Sequence, residues 1–274
     1  MNPKAETLGS LNRALDVLEA FDNEHRTWGL TALARELGLG KPTLHRLLRN
    51  LEVRGYVRQD PESKLYRLGF RTIKIGQAAL VETPNELVMP YLRELTRSLG
   101  EQSTLWVPDG LEAVCVAKVP GTRRLRAHTD LGAREPAVLL ASGRCLLAHY
   151  RGNLEELLGS KYADLRRVLQ RIRKTGYEIS YGDRWPDMCA VAAPVFDHDG
   201  HNKGAIAFSA ATSRINADML TETVHAVREA GMNVSTAMGA PDEVLRVFTS
   251  VAPDVHRHLR RKQASTSKAS RPPR

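Results

Sequence analysis

Residues 30–69, LTALARELGLGKPTLHRLLRNLEVRGYVRQDPESKLYRLG, constrain this chain more than any other segment. They predict two short helices, a tight connection and a β-hairpin. That is the order of a winged helix-turn-helix, which lays its second helix in the DNA major groove. A preceding helix is expected to start at Ser10, a good N-cap residue, with Leu11, Leu15, Leu18 and Phe21 on one stripe. Thr31 is expected to cap the next helix, Leu33, Ala34 and Leu37 to bury one face, and Gly38 to supply a left-handed stop. Pro42 suits the first turn of the third helix, where Leu44, Leu47, Leu48 and Leu51 form the apolar stripe. Its other face holds Lys41, Thr43, His45, Arg46, Arg49 and Asn50. Thr43 and His45 lie near the helix start, where a recognition helix meets base edges. Arg46 suits either a bidentate pair with guanine or a phosphate clamp. After Gly55, residues 56–59 and 65–68 alternate as strands around Asp60-Pro61-Glu62-Ser63-Lys64. Lys64 and Arg67 are the expected phosphate contacts of the wing, and Arg13 is another. The competing reading is a helical module that docks proteins. A cationic exposed helix face and a basic hairpin favour DNA.

Charge placement agrees. The chain carries +9 over 274 residues, and residues 41–80 alone hold nine Lys/Arg against three Asp/Glu. Such a concentration at a recognition helix and wing is the electrostatic footprint of phosphate binding. Residues 81–256 are near neutral, with 20 basic and 22 acidic residues, while residues 257–274 hold seven basic residues and no acid. An apolar fraction of 42% and this length suit a globular chain of two domains. Cys115, Cys145 and Cys189 are odd in number and far apart, which argues against a disulfide framework or a zinc site. No run of about 18 apolar residues offers a membrane helix, and the start MNPKAETLGS lacks an apolar signal core. A cytoplasmic protein with no membrane partner is expected.

Beyond residue 71 the pattern predicts a helix over 72–81, a break at Thr83-Pro84-Asn85, and a second helix with Leu87, Tyr91, Leu92, Leu95 and Leu99 on one face before Gly100. From Ser103 the period changes. Residues 103–107 and 113–119 read as strands around Pro108-Asp109-Gly110, and 125–129 as a third. Residues 141–150 and 165–174 read as helices, the latter stopped by Gly176. Residues 188–196 and 204–210 read as buried strands joined by Asp197-His198-Asp199-Gly200-His201, and 217–238 as a closing helix. Strands and helices on one antiparallel sheet make an α+β domain. The expected plan is therefore a winged helix (1–71), linker helices (72–100), a second domain (101–240), and an extra helix over 241–250 followed by a disordered basic tail. Such a tail adds either nonspecific DNA affinity or mere solubility.

A search for catalytic chemistry finds little. Cys189 lies in the apolar run MCAVAAPV, where cysteine is usually a small core residue. His128, His149, His198, His201 and His225 lack metal-ligand spacing, and DHDGH reads as a solvated turn. No paired carboxylates, phosphate loop or nucleotide fingerprint occur. No catalytic residue, metal or cofactor is expected.

The segments SLNRALDVLEAF, LxxLARELGL, KPTLHRLL and YRLG resemble the amino-terminal domain of IclR-type bacterial transcriptional regulators, and the resemblance continues to about residue 238. It implies a double-stranded DNA operator, a homodimer or dimer of dimers, linker helices that help pair the DNA-binding parts, and a GAF-like sensor domain. In that family a small organic acid effector sits between the sheet and a loop that opens a helix. The loop motif resembles GAREPAVLLASGRCLLA, residues 132–148, which places Ala141 and Ser142 in the pocket. Their N–H groups at a helix start suit a carboxylate. Aligning on MCAVAAPV places Cys189 there, and AFSAATSRI places Ala207 and Ser209 on the facing strand. Ordinary packing is the alternative at each position, most plainly at Cys189 and Ala207. Two departures stand out: Pro136-Ala137-Val138-Leu139-Leu140 replaces the usual P-L-H-A-T/S, and Tyr181-Gly182-Asp183 with Trp185 replaces an acidic D-x-E-E. Both make the surroundings more apolar and aromatic, so the expected effector has an apolar or aromatic body and one carboxylate. The rival from another class is a GAF-type sensor or enzyme whose winged helix only docks a protein.

Overall fold

The computed structural model describes residues 9–22, 24–80, 84–123, 127–249, 251 and 255. The chain divides into two compact units between residues 82 and 83.

The first unit contains α1 (Gly9–Glu19), α2 (Leu30–Glu36), α3 (Lys41–Val53), β1 (Val57–Gln59), β2 (Tyr66–Leu68) and α4 (Arg71–Leu80). Leu44 and Leu48 of α3 are fully buried with Val17 of α1 and Leu33 of α2, each such side chain contributing about 2 kcal/mol. The bend from α2 to α3 follows from Gly38, at φ 62°. Its N–H donates to the Arg35 carbonyl and the next N–H, of Leu39, reaches back to Ala34, so two carbonyls orphaned at the helix end are satisfied. β1 and β2 pair antiparallel, and Trp28 adds a bridge to Tyr66.

Three expectations differ here. Ser10 lies inside the first turn of α1 rather than before it. The cap position of α2 is Gly29, with Thr31 inside the helix, because the Trp28 bridge holds the chain extended until Gly29. Leu11 and Leu15 are 55% and 45% exposed, and Val17 takes the buried position instead.

The second unit contains α5 (Asn85–Leu99), β3 (Gln102–Asp109), β4 (Glu112–Val119), β5 (Arg134–Pro136), α6 (Ala141–Ala148), α7 (Leu154–Leu158), α8 (Ser160–Thr175), β6 (Glu178–Tyr181), β7 (Met188–Phe196), β8 (Asn202–Ala211), α9 (Ala217–Ala237) and α10 (Asp242–Leu245). The strands form one antiparallel sheet in the order β5-β4-β3-β8-β7-β6. Side chains alternate between its faces. Cys189, Val191, Ile206 and Phe208 pack with Val88, Leu92, Leu95 and Leu99 of α5 and with Val224 and Val227 of α9. On the other face, Ala192, Ala205 and Ala207 meet Ala141 and Cys145 of α6 and Leu169 of α8. Large residues thus fill one side of the central strands, and alanines line the other.

Several sequence expectations are corrected. The linker expected over 72–100 is divided: α4 lies in the first unit, whereas α5 is built into the core of the second. Leu87 faces outward at 38% exposure and Val88 takes the inward place. Residues 127–129 form no strand, and 124–126 lie outside the described residues; the strand that pairs with β4 is β5. β6 and α7 were not anticipated. The helix expected over 241–250 is the four-residue α10 plus a 3-10 turn, Arg246–Phe248. The basic tail, like all of 256–274, lies outside the described residues.

His149, which ends α6, makes this fold sensitive to acid. Burial, then the nearby Arg173 guanidinium, push its imidazole down to about 4. Lys174, Arg246 and Glu243 line the adjoining cavity. The unfolded chain takes up a proton near pH 6.5 that the folded chain refuses until about pH 4, so stability falls as pH drops through that window, by up to about 3 kcal/mol. Chemical denaturation of His149→Gln is expected to show a flatter profile between pH 4 and 6.5; profiles parallel to wild type would refute the assignment.

Candidate functional site

Two features of the units carry functional chemistry. The first is the exposed side of α3. Lys41, His45 and Arg49 follow at i+4 intervals, with Arg46 and Asn50 beside them, all exposed, and Thr43 is half-buried at the edge. None of Lys41, His45, Arg46 or Arg49 is paired within the described residues, so their hydrogen-bond donors face outward. The wing is braced by Asp60, whose Oδ1 accepts from the N–H and hydroxyl of Ser63, both at 2.8 Å, and from the Glu62 N–H. These bonds, led by that of the Ser63 N–H, hold the Asp60 carboxyl below its usual range. Lys64 sits exposed at φ 57°. Arg67 is less free: it is half-buried and lies 3.8 Å from Asp60. Arg58, opposite Arg67 in the hairpin, is exposed and stacks over Phe70 at 5.0 Å; the sequence reading missed it. Arg13 is exposed on α1.

The second feature is a cavity of about 250 Å³ between the alanine-lined face of the sheet and the start of α6. Ala190, Ala207 and Ser209 form its floor, Ala141 and Ser142 open α6 at one side, and Trp106, Trp185 and Met188 supply aromatic and apolar wall. The space exists because residues that would fill it are small. Ala141, Ser142 and Gly143 lie in the first turn of α6, where backbone N–H groups have no acceptor within the helix. The hydroxyls of Ser142 and Ser209 have no hydrogen-bond partner among the described residues, so they too are available to a guest. Arg184, which stacks on Trp185 and donates to Glu135, brings a cation to the lining.

The position of α6 is set by packing and charge. Gly143 approaches Ala137 so closely that a Cβ there would sit 2.2 Å from the Ala137 carbonyl oxygen. Arg144 binds Glu178 on β6 at 3.3 Å and Asp183 at 2.6 Å, and Arg171 of α8 binds the same Glu178. Burial pushes the Glu178 carboxyl up, opposed by the two guanidiniums. Asp183 also accepts from Ser180, which lines the cavity.

Comparison with known proteins decides what carries these features. Residues 10–61 match the IclR helix-turn-helix domain, and residues 85–236 match the model described as bacterial transcriptional regulator IclR C-terminal. The chain belongs to the IclR family. It is 30% identical to the HTH-type transcriptional regulator XynR of Escherichia coli K12, over 85% of this chain and 98% of that protein. It is equally identical to the glycerol operon regulatory protein of Streptomyces griseus, over 86% and 98%. Its fold is that of the Thermotoga maritima IclR crystal structure, with a TM-score of 0.70 at 21% identity and coverage of 85% and 100%. An IclR homolog of Microbacterium hydrocarbonoxydans solved with 4-hydroxybenzoate matches with a TM-score of 0.69 at 20% identity, over 84% and 98%.

This IclR-family chain is therefore a transcriptional regulator with a helix-turn-helix DNA-binding domain, and not an enzyme. Among the described residues no helix is long and apolar enough to cross a membrane. Of the five residues expected in the pocket, Ala141, Ser142, Ala207 and Ser209 line the cavity. Cys189 does not. It is wholly buried on the opposite face, against α5 and α9, because its neighbours Met188 and Ala190 face the cavity and strand side chains alternate. Trp106, Thr129, Ser180, Arg184, Met188 and Ala190 were missed. Met188 and Ala190 were accessible to parity, once Ala190 is paired with Ser209 across β7 and β8. In the DHDGH turn, Asp197, His198 and Asp199 bring ligand atoms within 4.8 Å of one another. Asp197 is already committed, accepting from the N–H groups of Asp199 and His201 and facing Lys203 at 3.4 Å.

Proposed function

We propose that this regulator reads operator DNA with α3 and its wing and is controlled by a small aromatic or apolar carboxylate held in the cavity beside α6. Lys41, Thr43, His45, Arg46 and Arg49 contact the groove and its phosphates, while Arg13, Arg58, Lys64 and Arg67 hold flanking phosphates. The active form is a homodimer or dimer of dimers. Leu11 and Leu15 on α1 and Ile73 and Ile75 on α4 are apolar yet about half exposed, the condition of a surface that a second copy covers. The second unit acts as a GAF-like sensor whose ligand shifts the spacing of paired recognition helices. The protein works in the cytoplasm, where the DNA is.

The cavity itself carries the effector reading. It joins tryptophan wall, free serine hydroxyls and the unpaired N–H groups of a helix start, which together match a flat apolar body ending in one carboxylate. The homolog of Microbacterium hydrocarbonoxydans complexed with 4-hydroxybenzoate supports that class. Calorimetric titration with benzoate and 4-hydroxybenzoate, against acetate and pyruvate, tests it. Aromatic acids are expected to bind more tightly. Ser209→Ala should weaken them about tenfold or more by removing a hydrogen bond to a charged group, and Ala207→Phe should fill the space and abolish binding. Preference for the two- or three-carbon acids, or no binding by any, would discard the reading.

A further inference from the structure

We infer that the second unit holds another small-ligand site, at the opposite end of α6, built for a small oxyanion that carries its own O–H group, such as hydrogenphosphate or a short hydroxy acid. Asn202 opens β8 where the β7 register shifts between Val195 and Phe196. Its Oδ1 and Nδ2 are both buried and make no hydrogen bond. His149, the C-cap of α6, brings a third buried and unpartnered atom, Nε2. Both residues line one cavity of about 270 Å³, together with Tyr150, Arg151 and His201. Buried polar groups are nearly always satisfied, and each orphan costs about 1–3 kcal/mol. Three such atoms in two residues that line one cavity point to a partner that is not protein. A single water needs only about 10–15 Å³, far less than this space.

The lining defines the guest. It contains no acid, and Arg151 has no ion pair among the described residues. The adjoining cavity, which shares His149, adds Arg173 and Arg246 against Glu243. The surroundings are thus net positive and favour an anion. The carbonyls at the end of a helix would oppose one, but Arg173 donates to the Ala148 carbonyl and offsets that end of α6. Asn202 asks for more than charge: Nδ2 needs an acceptor and Oδ1 needs a donor. A plain carboxylate meets the first demand only. A protonated phosphate or a hydroxy acid meets both. This site lies about 12 Å along α6 from the helix start that opens the other cavity, the length of its eight residues, and it does not depend on the effector reading.

Calorimetry on the full chain with inorganic phosphate and with lactate, and acetate as the control lacking an O–H, tests the site. Saturable one-to-one binding of phosphate, lactate or both, well above acetate, is expected, and which of them binds separates an inorganic from an organic source. Asn202→Leu and the surface variant Arg151→Gln should each weaken binding about tenfold, one charge-assisted hydrogen bond. Arg151→Gln keeps the test available if Asn202→Leu does not fold. Ala207→Phe, which fills the other cavity, should leave it intact, and the His149 ring nitrogens should shift saturably in the NMR spectrum. No saturable binding, equal binding of acetate, unchanged affinity in Arg151→Gln, loss in Ala207→Phe, or a crystal soak showing ordered water only would overturn the site.

Discussion

Arg46→Ala is expected to abolish specific operator retardation while leaving the fold unchanged. Arg46 stands exposed on α3, and its guanidinium has no hydrogen bond or ion pair among the described residues. Its loss therefore costs the folded chain almost nothing. A bidentate contact to a base is worth about 1–3 kcal/mol, and the proposed dimer would lose it twice, so the expected effect is about 2–6 kcal/mol, or ~30-fold to beyond detection. Gel retardation on the DNA upstream of its own gene provides the measurement. Its salt dependence separates the two roles open to this side chain. If Arg46 reads a base, specificity collapses and the salt slope stays; if it clamps a phosphate, affinity drops on all DNA and the slope falls by about 0.9 per contact. Unchanged operator affinity would refute the placement of α3 in the groove.

Arg214→Ala is expected to destabilise the second unit by about 3 kcal/mol. Glu101, between α5 and β3, is wholly buried. Arg214, just ahead of α9, holds both of its oxygens, Nε to Oε1 at 2.5 Å and Nη2 to Oε2 at 3.0 Å. Arg123 adds one contact at 3.1 Å. Removing one partner of a buried pair leaves an uncompensated charge, at a cost of about 3–5 kcal/mol, and the remaining Arg123 sets the expectation at the low end. For a unit of this size the melting temperature should fall by about 6–12 °C. Replacing the pair together, Glu101→Gln with Arg214→Met, should recover part of the loss, because no carboxylate is then left buried alone. A melting temperature within about 1 °C of wild type would show that Arg123 or solvent suffices.

The DNA-reading module was legible because its signals are local. Gly38, Pro42 and the leucine spacing of α3 act within a few residues of where they stand, and the exposed cations follow from the same helical period. Where the reading failed, a distant contact had intervened. Thr31 is not a cap because Trp28 bridges to Tyr66, and α5 belongs to the second unit because Val88 and Leu92 are buried in its core. Arg58 escaped notice because strand pairing, which sets it opposite Arg67 in the hairpin, is not written in its neighbours. In the second unit, four of five expected residues line the cavity, while Cys189 fell on the wrong face by a single residue, the smallest error that inverts a strand.

By itself, the sequence determined that an amphipathic helix with a cationic outer face follows a tight glycine turn, and that a mixed sheet-and-helix domain lies behind it. Those are properties of short-range periodicity, charge and backbone conformation. Only the tertiary structure decided which side of β7 and β8 is lined by alanines, that Trp106 and Trp185 wall the space above them, and that Asn202 and His149 line one cavity at the far end of α6. A cavity is made by residues far apart in the chain that leave room between them, and strand pairing and helix packing alone bring them together.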